Sequence, residues 1–121
     1  MDRQRAGLAW EAVARDYLRA HGLDILKQRY RCRLGELDLV CRDGSTLVVV
    51  EVRARKHASL TSALESIDAH KQRKIILATR HLLMRHPEWN TQMLRFDVFT
   101  VTDIDTTTPR LRWTKNAFDA L

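Results

Sequence analysis

The sequence predicts one α/β domain: a mixed sheet flanked by helices, in the order α-β-β-β-α-β-β. Three observations carry this. Two stretches, 5–21 and 68–86, repeat apolar residues at helical spacing. Two strand-like runs, 35–42 and 46–53, flank Asp43-Gly44, a dipeptide that favours a hairpin turn. Only four glycines and two prolines occur in 121 residues, and no linker, repeat or low-complexity segment interrupts them. A single domain over 1–121 follows.

In the first helix Trp10, Val13, Ala14, Tyr17 and Leu18 share one face, and Gly22 is well placed to end it. A polar first strand is expected over 24–32, followed by the hairpin. Segment 59–67 is read as starting in a loop. The second helix, 68–86, stops at Pro87 and offers Ile75, Ala78, Leu82 and either Leu83 or Met84 to the core. Residues 94–102 alternate as a strand does, 103–109 form a polar turn, and 110–114 make a short last strand.

The composition is that of an ordinary soluble protein, with 45% hydrophobic and 30% charged residues. No apolar run reaches about 18 residues, so no membrane span is expected. The N-terminal stretch mixes charges and lacks the apolar core of a secretory signal, so a cytoplasmic location is expected. Cys32 and Cys41 form no C-x-x-C pair and are expected as free thiols. The five histidines do not fall at zinc-ligand spacings. A net charge of +6 and a pI near 9.9 favour a polyanionic partner such as nucleic acid. The basic residues concentrate modestly at 27–33, 53–56 and 71–74, without interleaved aromatics.

The hairpin holds three acids where a buried sheet should be apolar: Glu36, Asp38 and Glu51. Side-chain alternation puts Glu36, Asp38 and Val40 on one face, and Leu37, Leu39 and Cys41 on the other. A two-residue turn at Asp43-Gly44 would set Arg42 opposite Ser45, Asp38 opposite Val49 and Glu36 opposite Glu51. Asp38 and Glu51 are then diagonal neighbours, about 7–8 Å apart at Cα. Two like charges 4 Å apart cost about 4 kcal/mol at an effective dielectric of 20. A proton or a cation must offset that, and oxygen-only ligands suit Mg²⁺ or Mn²⁺. The other reading leaves Glu36 in solvent and pairs Asp38 and Glu51 with arginines. Pattern alone leaves both open.

Five blocks in order carry a family resemblance: Gly7, Glu11 and Ala14 in the first helix; Gly35-Glu36-Leu37-Asp38-Leu39; Val48 to Arg55; Lys71 to Ala78; and Arg95-Phe96-Asp97-Val98. Together they resemble the YraN family. Asp38 followed by Glu51-Val52-Arg53 resembles the D…E-x-K signature of the PD-(D/E)xK nuclease superfamily. The YraN family is similar in turn to archaeal-type Holliday-junction resolvases. The resemblance implies a restriction-endonuclease-like fold and a metal-dependent DNA endonuclease for structured or branched DNA. It implies Asp38 and Glu51 as ligands of Mg²⁺ or Mn²⁺, with Glu11 as a further acid ligand, direct or through water. Lys71 would look toward the site, and Gln72 could contribute. Arg53, Arg55, Lys56, Lys71 and Lys74 are the expected nucleic-acid contacts. A homodimer is implied by analogy only.

The pattern departs at Arg53, where the superfamily has lysine. Arginine grips a phosphate but stays protonated and cannot help deprotonate water. Lys71 is the preferred substitute, since Lys56 has the wrong strand parity relative to Arg53. Two alternatives stand beside the endonuclease: a DNA-binding module with little activity, and a structural or partner-binding protein.

Overall fold

Five strands form one sheet in the order β1-β2-β3-β4-β5 in the computed structural model, which describes residues 3–57, 59–90 and 93–119. They are β1 (Asp24–Cys32), β2 (Gly35–Asp43), β3 (Thr46–Ala54), β4 (Met93–Thr102) and β5 (Arg110–Phe118). The helices are α1 (Arg3–Ala20), α2 (Leu60–Glu65) and α3 (Ala69–Arg85), with a 3₁₀ turn at Pro87–Trp89. β3 and β4 pair in parallel and all other neighbours antiparallel. A parallel pair needs a crossover, and α2 and α3 supply it. The result is the predicted mixed α/β sheet flanked by helices, consistent with a restriction-endonuclease-like fold.

Each face of the sheet has its own core. Ala14 and Leu18 of α1 pack with Leu39, Cys41, Val48, Val50, Phe99 and Val101. On the opposite face Ile75, Ala78 and Leu82 of α3 pack with Leu37, Val40, Leu47, Val49, Phe96 and Val98. α1 ends where the Leu23 N–H reaches the Leu18 carbonyl at 3.1 Å, across Gly22 at φ +93°. The Asp68 carboxylate caps α3 by accepting the Lys71 N–H at 2.9 Å. Of the two candidates for the apolar face of α3, Leu83 packs on the core while Met84 is 80% exposed. Position 84 lies off the stripe that runs through 75, 78, 79 and 82.

Segment 59–67 starts outside a helix at Ser59, as expected, but then forms a helix absent from the expected element order. It is mostly α2, capped by Ser59, whose Oγ accepts the Ser62 N–H at 3.1 Å. Six residues are too short to show helical periodicity. β5 also outruns its expected end at 114. Asn116 sits at φ +53°, and pairing resumes at Phe96–Phe118, whose rings stack with centroids 5.0 Å apart. Fully buried Asp97 holds that irregular stretch. It accepts Arg95 Nε and Nη2 at 2.9 and 3.0 Å, Trp113 Nε1 at 2.9 Å and the Asn116 N–H at 2.9 Å.

The hairpin register differs from expectation by two residues. Asp43 pairs with Thr46, so Gly44-Ser45 is the turn, with Gly44 at φ +61°. Val40 therefore faces Val49, and Leu39 faces Val50. Two residues is a full side-chain period, so Glu51 keeps its predicted face although every partner changes. β2 then departs from alternation. Leu37 and Val40 both lie on the α3 side, whereas Leu39 and Cys41 lie on the α1 side. The strand turns over at Asp38. Across from it on β1, the pairs step from Gln28–Leu39 to Tyr30–Leu37 over Arg29, which sits at φ +53°. A left-handed residue inside a strand adds the local twist that reverses the faces.

Candidate active site

Glu51 is 2% exposed, on the α3 face of β3. Its Oε2 lies 3.3 Å from Lys71 Nζ and 3.4 Å from Arg53 Nη1. Its Oε1 is buried without a hydrogen-bond partner. The β2–β3 ladder reaches its last pair at Leu39–Val50, and beyond it Asp38 Oδ2 accepts the Val52 N–H at 2.8 Å. Burial pushes the Glu51 carboxyl up to about 8, with the Asp38 charge and a hydrogen bond shared with Asp38 adding to it. Lys71 and Arg53 pull the other way without winning. Burial and the neighbouring Asp38 charge thus both favour the protonated form of Glu51.

Glu11, on the α1 side, is pushed up to about 7, first by burial and then by Asp38, with Glu36 adding and Arg29 and Arg31 opposing. Its Oε1 is likewise buried and unpartnered. Glu11 and Glu51 thus approach from opposite faces of the sheet, and Asp38, at the turn-over, is coupled to each. Among the described residues no three or more His, Cys, Asp or Glu side chains come together as a set that could hold a metal. The expected trio is an acid chain with Asp38 in the middle rather than a closed cage. Glu36 does not face Glu51. It turns to Arg31 and Arg29 at 3.4 and 3.9 Å, with 41% of its side chain exposed.

The donor atoms are compatible with a hard cation. All are carboxylate oxygens, and two of them, Glu11 Oε1 and Glu51 Oε1, are buried with no partner. A buried acceptor left unsatisfied costs about 1–3 kcal/mol, which a bound cation would relieve.

Lys71 is brought to Glu51 by the close approach of α3 to β2. A Cβ on Gly35 would lie 3.1 Å from the Lys74 carbonyl oxygen, so any larger residue would press the helix backbone away by a few tenths of an ångström. Lys71 and Lys74 line a cavity of about 350 Å³ with Arg31, Cys32, Gly35 and Glu36. Arg53 Nε donates to Ser66 Oγ at 3.2 Å, which fixes the guanidinium beside Glu51. Arg55 spends Nη1 on the Ala54 carbonyl at 2.9 Å, and Lys56 is exposed beyond the strand; no hydrogen bond or ion pair ties either to the acids. Gln72 Nε2 donates to the Ile67 carbonyl at 3.1 Å, tying it to the α2–α3 junction. Both cysteines are free, and burial pushes the Cys41 thiol up to about 12, which keeps it unreactive. Ser66 and Arg29 shape the site yet carried no sequence signal, since each acts through a segment distant in the chain.

The fold and site define an α/β protein whose sheet buries one carboxylate, Glu51, next to half-buried Asp38 and two cationic side chains. Residues 10–101 match the uncharacterised protein family UPF0102, and the chain belongs to that family. A UPF0102 protein of Ectopseudomonas mendocina is 46% identical over 114 residues, covering 94% of each chain. One from Pseudomonas aeruginosa (strain LESB58) is 48% identical over 111 residues, 91% of this chain and 89% of the relative. One from Pseudomonas putida (strain GB-1) is 44% identical over 115 residues, 95% of this chain and 94% of the relative. The family match includes Glu11, Asp38, Glu51, Arg53 and Lys71 and stops before β5. No helix among the described residues is long and apolar enough to cross a membrane.

Proposed function

We propose that the protein is a metal-dependent endonuclease acting on structured or branched DNA. The observation that carries this reading is Glu51, a buried carboxylate that feels the Asp38 charge and has Lys71 and Arg53 against its Oε2. Asp38 and Glu51 would hold Mg²⁺ or Mn²⁺, with Glu11 joining directly or through water. A divalent cation there would polarise a phosphodiester and acidify an attacking water. Arg53, held by Ser66, is placed to grip a phosphate oxygen and stabilise charge on it. Lys71, half-buried beside Glu51, is the residue able to exchange a proton at that position, which Arg53 cannot do. The net charge of +6 and the lysines of the adjoining cavity support a polyanionic substrate.

A second reading, DNA binding without cleavage, is favoured by Arg53 itself. Its guanidinium lies against Glu51 and is pinned to Ser66, so it occupies space beside the acids that a lysine would leave open. Incubation with flap, fork and four-way-junction DNA in Mg²⁺ and Mn²⁺ separates the two. The endonuclease reading expects metal-dependent products that Asp38→Asn abolishes and Arg53→Lys increases. No product on any substrate, from the wild type or from Arg53→Lys, overturns it. Salt-sensitive binding without product then supports the second reading.

A further inference from the structure

The sheet face that carries Glu51 and Arg53 continues past them to the edge strand. Arg53 lies opposite Thr100 of β4, and Thr100 opposite Arg112 of β5. In the next row Thr102 lies opposite Arg110. Residues directly opposite one another share a face, so Arg53, Thr100 and Arg112 form one row across three strands. With strands about 4.8 Å apart, that row is roughly 10 Å long. α2 has six residues and packs over this end of β4, where Thr100 and Thr102 are buried, while Arg110 and Arg112 on the edge strand stay exposed. A cavity of about 680 Å³ opens there, with His57, Ser59, Thr100, Thr102, Arg110 and Arg112 among its lining.

The charges of this groove are unevenly matched. Asp103 is the one carboxylate among the lining residues, and it is paired to Arg110 at 3.6 Å. His57 faces Asp105 at 3.2 Å. Arg112 has no ion-pair partner among the described residues, and its side chain is exposed. Hydroxyl groups from Ser59 and Thr102 add uncharged donors of the kind that contact phosphate oxygens. The lining therefore carries one net positive charge, centred on Arg112, on the same sheet face as Arg53 but separated from it by buried Thr100.

We propose that this groove between α2 and β5 is a second phosphate-binding surface, in which Arg112 and Arg110 hold the DNA backbone beside the phosphate facing Arg53. The proposal rests on the DNA reading above but not on cleavage. On this basis the lysine-lined cavity beside Lys71 and the arginine groove on β5 take the two arms of one strand, with the acids between them. β5 lies outside the stretch that matches the family, so this arm is built by a segment separate from the acid site.

The test uses the full chain carrying Asp38→Asn, so that no substrate is consumed, and measures binding to a fluorescent DNA fork by anisotropy across a salt series. The double change Arg110→Ala/Arg112→Ala is expected to weaken binding about tenfold or more at low salt. The slope of log K against log salt should become shallower by about 2, close to 0.9 for each phosphate no longer neutralised. Arg110→Lys/Arg112→Lys keeps the charge and should restore most of the affinity, which a purely structural role would not predict. Arg80→Ala/Arg85→Ala removes the same charge from the exposed side of α3 and should leave the slope near that of the parent. An unchanged slope in Arg110→Ala/Arg112→Ala, with the parent still binding, overturns the groove and leaves the endonuclease reading intact. A parent that binds no DNA overturns both.

Discussion

Asp38 Oδ2 accepts the Val52 N–H at 2.8 Å, so a side chain rather than a backbone carbonyl serves the β3 N–H where β2 and β3 part. The bond gives Asp38 two separable jobs, one structural and one electrostatic. Asp38→Asn keeps an acceptor for Val52 and a donor for Glu51 while removing the charge. It is expected to fold with a stability within about 1 kcal/mol of the wild type, yet to lose all metal-dependent cleavage. Asp38→Ala leaves the Val52 N–H unserved and should cost about 1–3 kcal/mol in urea unfolding. Equal destabilisation by both changes would show that the charge, not the hydrogen bond, supports the fold.

The raised carboxyls of Glu51 and Glu11 set a pH dependence with a definite sign. The Glu51 carboxyl stands at about 8 in the folded chain against an ordinary 4.5, and Glu11 at about 7. Between those limits the folded state holds more protons than the unfolded state, so stability falls as pH rises. The cation-free protein should be most stable near the low end of that window. Its melting temperature should drop by roughly 5–10 °C toward pH 8. Glu51→Gln should flatten the curve and raise the melting temperature at pH 8. Mn²⁺ competes with the protons on these carboxyls, so its stabilisation should grow with pH. A metal-induced shift that stays constant from pH 5 to 8 would argue against binding at these acids.

Asp97 is the second buried acid, and its role is opposite to that of Glu51. Its oxygens are fully engaged by Arg95, Trp113 and the Asn116 backbone, and Arg95 reaches on to Asp43 at 3.2 Å. Removing one partner of a buried, hydrogen-bonded ion pair strands the other, so Asp97→Ala should cost about 3–5 kcal/mol. Trp113→Phe deletes one bond and keeps the ring, with an expected cost of about 1 kcal/mol. Chemical denaturation measures both. Because Asp97 has no spare acceptor to offer a cation, metal-induced stabilisation should persist in Trp113→Phe.

What the sequence made legible follows from distance along the chain. Asp43-Gly44 announced the hairpin, and a register error of two residues left Glu51 on its predicted face because the side-chain period is two. The turn-over at Asp38 was not legible. It depends on Arg29 adopting φ +53° on the neighbouring strand, and no alternation rule applied to β2 alone contains that information. The same non-local cause hid the placement of Glu11 and Glu51 on opposite faces. Lys71 was legible as a residue near the site through the family resemblance, but its 3.3 Å approach to Glu51 also depends on the close packing of α3 on Gly35. The Arg53–Ser66 bond needs the bend between α2 and α3, which the short α2 concealed.

Gly35 ties the fold to the site, and its substitution tests that link. An added methyl at Gly35 would meet the Lys74 carbonyl at 3.1 Å, and a helix backbone has little freedom to give way. α3 would have to lift from β2 near its N-terminal half, where Lys71 reaches Glu51. Gly35→Ala should cost about 1–3 kcal/mol as an overpacking change. Moving Lys71 away from Glu51 removes one of the two charges that oppose its protonation, so the Glu51 carboxyl should rise further. The midpoint of the pH-dependent loss of stability in the cation-free protein should then move upward. Lys71→Met supplies the reference, because it removes the charge without touching the packing of helix on strand. If Gly35→Ala lowers stability but leaves the midpoint where the wild type has it, while Lys71→Met moves it, then α3 has kept Lys71 in place and the glycine serves packing alone.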